Sequence, residues 1–270
     1  MHRGYRIITA LVVVLLTAGC WDDKKPAAAP SSSSVAKPAS TGNTPDGPIV
    51  AEVAVRELQQ VALKTVPQTA AAKSYLYRRS EIHEGDRTSE LEEWFEIQGL
   101  IPVKIRENGK DFESRPSLAE TAESMRAALA REGPSAERPT PDWLEGLPGD
   151  IPGLANVLEP KAGPRSPAAR AWDLFSRADP LLPGKVRAGL IKLIATVPGL
   201  SASQLTTGGH RNYALSYTDE GATHVLYFDA LTARAAGEGS VLSASSPGPS
   251  GGPQPDGTRL WTFQIRASLT

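Results

Sequence analysis

The sequence predicts an α+β fold in which an antiparallel sheet packs against several helices. Three observations carry this expectation. Residues with the two-residue period of strands cluster in two blocks, one near 74–106 and one near 203–268. Residues with helical spacing fill the stretch between them. Strand and helix runs therefore segregate along the chain instead of alternating, which is the pattern of an antiparallel sheet with helices gathered to one side.

Each element has its own signal. Val50, Ala54, Leu58 and Val61 recur at helical spacing, so about Ile49–Thr65 reads as an amphipathic helix ended before Pro67. Ser74–His83 reads as a strand with Tyr75 and Tyr77 on one face, and Leu91–Gln98 as the next. In Ile101–Arg106, Ile101, Val103 and Ile105 alternate with Pro102, Lys104 and Arg106, the period of a half-buried strand. Asn108-Gly109 predicts a hairpin turn, with a short strand reaching Phe112. Ser117 and Glu120 form a capping box for a helix to about Arg131, stopped by Gly133-Pro134. Asp150–Leu158 reads as a shorter helix. Ser166-Pro167 supplies an N-cap and a first-turn proline to a helix carrying Trp172 and Phe175. Val186, Leu190, Leu193, Ile194 and Val197 make a clear apolar helix face, closed by Pro198-Gly199. Ser203–Thr207, Arg211–Thr218, Thr223–Asp229 and Ala233–Leu242 are spaced as a meander, and Trp261, Phe263, Ile265 and Ala267 alternate in a last strand. Residues 244–257 form a Pro/Gly/Ser-rich loop, read as disordered.

The N-terminus carries an address. Arg3 and Arg6 precede the uncharged run Ile7–Leu16, whose ten residues reach only about 15 Å as a helix, half a bilayer core. That length fits a signal peptide over residues 1–19 and not a permanent span. Thr17, Ala18 and Gly19 end immediately at Cys20 and resemble a bacterial lipobox, the signal peptidase recognition site, with Thr17 where leucine is commonest. The resemblance implies that Cys20 is acylated and becomes the new N-terminus. The protein would then be a lipoprotein anchored to the cell membrane on its extracytoplasmic face. The alternative is an ordinary secretory signal with a chance cysteine. Removing residues 1–19 takes two arginines and no acid, moving the net charge from −1 to −3. Residues 20–48, rich in Pro, Ala and Ser, read as a disordered linker, and 49–270 as one extracytoplasmic domain.

Composition removes several function classes. Lys and Arg (29) balance Asp and Glu (30), so no overall charge recruits nucleic acid. With Cys20 the single cysteine, there is no intramolecular disulfide, cysteine zinc site or iron–sulfur cluster. His83, His210 and His224 show no ligand spacing, so neither a metal nor a catalytic triad is expected, and strand-end or surface histidines are the default. Thr207-Gly208-Gly209-His210 continues into strand residues and reads as a hairpin turn, not a phosphate cradle. Glu90, Glu92, Glu93 and Glu96 are the densest acidic cluster. Two carboxylates on one strand face could do acid/base work, yet a solvated face explains them better. Arg78 and Arg79, with Tyr75 and Tyr77, could bind an anionic headgroup, though pairing with the nearby glutamates is the simpler reading. No catalytic residue, cofactor or enzyme motif emerges, so the chain reads as a non-enzyme.

The series LEEWFEI, LPGDIPGLANVL, VRAGLIKLIATVPGL and HVLYFDALTARAAGEGSVL resembles a family of uncharacterised actinobacterial envelope proteins, over roughly Lys73–Leu269. Many of those carry an anti-sigma-like cytoplasmic tail and one span before the same domain. Here a lipobox stands in their place, which argues against direct contact with a cytoplasmic sigma factor. More loosely, the order of elements resembles the lipoprotein-carrier fold of the LolA and LppX kind. That resemblance implies a curved sheet, an incomplete barrel, cupping helices and enclosing acyl chains. The expected role is non-enzymatic binding of a lipid or hydrophobic ligand at the envelope. An envelope sensor or protein-interaction module with a protein partner is the alternative, and an enzyme of unknown reaction the third.

Overall fold

A computed structural model describes residues 44–71, 73–112, 116–159, 166–207, 210–219, 222–242 and 257–269. The signal region with Thr17, Ala18, Gly19 and Cys20, the linker up to residue 43, and residues 244–256 of the Pro/Gly/Ser loop lie outside them. The described residues belong to one unit, Thr41–Thr270.

The architecture is α+β. Ten strands form one open antiparallel sheet: β1 (Thr44–Ile49), β2 (Tyr75–Glu84), β3 (Arg87–Glu96), β4 (Ile101–Glu107), β5 (Lys110–Asp111), β6 (Ser201–Thr207), β7 (His210–Asp219), β8 (Ala222–Asp229), β9 (Ala235–Leu242) and β10 (Gly257–Arg266). Their spatial order is β1-β6-β7-β8-β9-β10-β2-β3-β4-β5, so β1 and β5 are the edges. Strands β2 to β5 are one meander and β6 to β10 another. The last strand joins the two, pairing with β2 from Gly257 opposite Glu84 to Arg266 opposite Tyr75. It stays beside β9 only from Gly257 to Leu260. Beyond that point the Trp261 indole Nε1 donates to the Ala235 carbonyl at 3.0 Å.

The fold begins earlier than the sequence suggests. Thr44–Ile49, assigned mostly to the linker by composition, pairs with β6 from Thr44 opposite Thr206 to Ile49 opposite Ala202. Pro45 and Pro48 lack an N–H, which an edge strand tolerates because only one of its sides is paired. A register shift between Pro45 and Gly47 absorbs the misfit.

Among the described residues six α-helices accompany the sheet: α1 (Ala51–Ala62), α2 (Leu118–Glu132), α3 (Pro141–Gly146), α4 (Ile151–Leu158), α5 (Pro167–Ala178) and α6 (Gly184–Ile194), with a 3-10 turn at Asp179–Leu181 between the last two. The expected caps form. Ser117 and Glu120 make the full capping box, and the Ser166 hydroxyl accepts from the Ala169 amide at 3.2 Å with Pro167 in the first turn. Helix α3, absent from the sequence expectation, starts on Thr140, whose hydroxyl accepts the Trp143 amide at 3.3 Å, with Pro141 in the first turn as Pro167 is in α5. Asn108 and Gly109 take left-handed φ of 48° and 77°, the geometry that an Asn-Gly hairpin turn requires.

One hydrophobic core lies between the inner sheet face and α1, α4, α5 and α6. Leu58, Leu154, Phe175, Leu190 and Ile194 meet Leu76, Leu215, Leu226 and Phe228 there. The Phe175 and Phe228 rings stand edge to face at 5.0 Å, and Trp172 and Tyr217 do so at 5.3 Å. The opposite face of β2–β4 is covered differently. Tyr77 packs on Trp94 at 4.9 Å, the Arg266 guanidinium lies 3.5 Å from the Tyr77 ring centre, and Lys104 lies 4.8 Å from that of Trp94. These long stems bury the two rings while the charges stay near water.

Candidate functional site

Two buried ionic clusters stand out first, because charge buried in a core must be compensated. In the first, β2 supplies Arg78, β3 Glu93 and β10 Arg259, all on the face toward α5. Arg78 Nε donates to Glu93 at 2.7 Å and its Nη1 to the Ser176 carbonyl at 2.6 Å. Arg259 donates to the same Glu93 carboxylate, and the Ser176 hydroxyl donates to Glu238 of β9 at 3.0 Å. Burial would raise the Glu93 carboxyl, but Arg78 and then Arg259 outweigh it and hold the group below its ordinary range. In the second, Arg187 of α6 donates to the Asp179 carboxylate, to the Asp179 carbonyl at 2.5 Å and to the Ala233 carbonyl at 3.2 Å. The Ala235 amide also donates to Asp179, at 3.2 Å. Burial holds Asp179 above its ordinary range against the pull of Arg187, and pushes Arg187 down. Both clusters spend their hydrogen bonds on tying helices to strands.

The sequence candidates are dispersed. Arg79 pairs with Glu90, Tyr77 donates to Glu92 at 2.6 Å, and Arg126 of α2 pairs with Glu96 at 2.6 Å. Glu93 sits on the other face, buried, so the run of glutamates is split between two sides of the sheet and each carboxylate meets a donor. Arg78 and Arg79 are both engaged by glutamates: the β2–β3 register sets Arg78 opposite Glu93, and Arg79 reaches diagonally to Glu90. His83 lies 3.2 Å from Glu81, His224 stacks on Tyr217 at 5.1 Å, and His210 is exposed. Among the described residues no group of three His, Cys, Asp or Glu side chains converges as a metal site would require. Thr207 of β6 pairs with His210 of β7, and the turn expected at Gly208-Gly209 lies outside the described residues.

The surface of the helical layer offers a different kind of site. A groove of about 370 Å³ opens between α4, α5 and the end of α6, walled by Ile151, Ala155, Pro167, Ala168, Leu193 and Val197. A second, of about 390 Å³, lies between α1 and the end of α6, lined by Val55, Val197 and Leu200 together with the polar Glu52, Arg56, Gln59 and Lys192. Both are open to solvent, and Val197 is the wall they share. The sequence reads Val197 as the end of the α6 core face. Helix α6 instead stops at Ile194, because in a continued helix Pro198, which has no N–H, would meet the carbonyl four residues back, that of Ile194. The Thr196 and Val197 amides donate back to Leu193 and Ile194 at 3.1 and 3.0 Å, closing the helix and leaving Val197 half-buried in the turn.

Comparison with known protein families, characterised proteins and solved structures finds no match. Among the described residues no helix is long and apolar enough to cross a membrane.

Proposed function

We propose that the protein is a non-enzymatic envelope module, held on the extracytoplasmic side of the cell membrane by an acylated Cys20, that binds an apolar segment of a protein partner. The observation that carries this reading is the open, mainly apolar groove between α4, α5 and the end of α6, which meets a second groove of mixed polar and apolar lining at Val197. An open groove suits a side chain presented by another protein, which brings its own cover. An acyl chain needs enclosure on most sides. A photo-crosslinking amino acid in place of Val197, in cells, tests the proposal. The expected result is a defined protein adduct that disappears when Ala155→Glu is added, with the chain still folded by circular dichroism. Absence of any protein adduct, or one indifferent to Ala155→Glu, overturns it.

The second reading is a lipoprotein carrier of a lipid or hydrophobic ligand, with the sheet curved as an incomplete barrel. It is favoured by one open antiparallel sheet laid over a layer of helices. Lipid that co-purifies stoichiometrically, seen by native mass spectrometry, is its signature.

A further inference from the structure

The two ends of the sheet differ in character. At one end, Thr44 lies beside Thr206, Thr206 beside Arg211, and the Ala230 amide donates to the Arg211 carbonyl at 2.9 Å. The chain ahead of Thr44, with its apolar run and Cys20, therefore joins the fold at the same end as the β8–β9 turn. Helix α1 starts at the opposite end, after Ile49, and runs back to finish here. The segment just after it is fastened to the β8–β9 turn: the Thr65 hydroxyl donates to the Thr232 carbonyl at 2.7 Å, and Arg234 Nη2 to the Val66 carbonyl at 3.1 Å. Helix α6 begins here too, since a Cβ on Gly184 would stand 2.5 Å from the Ala62 carbonyl.

Three large apolar side chains project from this end: Leu63 is 63%, Val66 75% and Leu231 70% exposed. Lys64 and Lys185, both exposed, and Arg234 accompany them. The acids nearby are committed: Asp229 Oδ1 accepts the Leu231 and Thr232 amides at 2.9 and 2.8 Å, Asp150 accepts the Gly153 amide at 2.8 Å, and Glu57 faces Arg211 and Tyr213. Exposed apolar groups beside cations match a bilayer carrying anionic headgroups, where the side chains enter the acyl boundary and the cations stay with the phosphates.

We propose that this end of the molecule, Leu63, Val66 and Leu231 with Lys64, Lys185 and Arg234, docks on an anionic lipid surface. The body then rests on the bilayer with the Val197 grooves turned away from it. The proposal does not depend on acylation or on what the grooves bind, so its failure leaves the groove reading intact.

The test uses the full chain with Cys20→Ser, so that an introduced cysteine is the only thiol. An environment-sensitive fluorophore is attached at Leu231→Cys or, as control, at Val50→Cys, which is 61% exposed at the far end of α1. With vesicles of equal parts phosphatidylglycerol and phosphatidylcholine, the label at 231 is expected to become shielded from aqueous iodide and quenched by spin-labelled lipid, while that at 50 stays accessible. Lys64→Glu with Lys185→Glu should weaken partitioning by about 10-fold or more. Equal iodide access at both positions, or partitioning indifferent to the charge reversals, overturns the proposal. Shielding at 231 that rises with protein concentration without vesicles also overturns it, and assigns the surface to a second copy of the chain.

Discussion

Replacing Arg187 by methionine keeps most of the side-chain volume and removes the charge. Arg187 and Asp179 are 0% and 1% exposed, so water cannot take over the lost contacts. The substitution leaves the Asp179 carboxylate with only the Ala235 amide, and strips donors from the Asp179 and Ala233 carbonyls. Breaking a buried pair from one side costs about 3–5 kcal/mol, a large part of the roughly 5–15 kcal/mol that holds an ordinary domain folded. Urea unfolding should show the midpoint about 1–2 M lower with its slope preserved. The penalty should also depend on pH. A carboxyl whose folded pKa lies above its unfolded value favours the folded state most below the unfolded pKa, and loses that advantage as pH rises through the folded pKa. Asp179 is already held high by burial, and removing Arg187 raises it further. The variant should therefore be most impaired near neutrality and recover partly in acid. The double variant Asp179→Leu with Arg187→Met should regain most of the loss, because no charge is left to bury. A midpoint shift worth under about 1 kcal/mol, or strictly additive losses in the double variant, would refute the claim that this pair fastens α6 to the β8–β9 turn.

Glu93 has the opposite sign. Its folded pKa is depressed, so its stabilisation is present above the ordinary value of 4.5 and is lost as pH falls through that value toward the folded one. Glu93→Gln should lower the melting temperature at neutral pH and flatten its fall in acid, checked by thermal scans across pH. Gly184→Ala drives a methyl group into the Ala62 carbonyl and should cost about 1–3 kcal/mol, measured by urea unfolding. Ser117→Ala removes the capping box and should cost about 1 kcal/mol, again by urea unfolding. Cys20→Ser should abolish labelling of the chain by a fatty-acid analogue in cells, and persistent labelling would remove Cys20 as the anchor.

Much of the fold was legible because its signals are local. Alternation marked β4 and β10, and Ser117 with Glu120, and Ser166 with Pro167, announced two helix starts, since a cap is made by residues three apart. Thr44–Ile49 escaped because prolines and a glycine look like linker until β6 arrives to pair with them. The site was less legible. Arg78 and Arg79 are adjacent in sequence, yet strand pleating sends one into the core toward Glu93 and Ser176 and the other outward to Glu90.

By itself, then, the sequence determined the α+β class, the Ser117 and Ser166 caps and the Asn108-Gly109 turn, because each rests on a pattern within a few positions along the chain. Only the tertiary structure decided which charges are buried, that Val197 divides two grooves, and that Leu63, Val66 and Leu231 share one end of the molecule. The physical reason is distance along the chain: Thr65 reaches Thr232, and Arg259 reaches Glu93, only after the sheet has set its register.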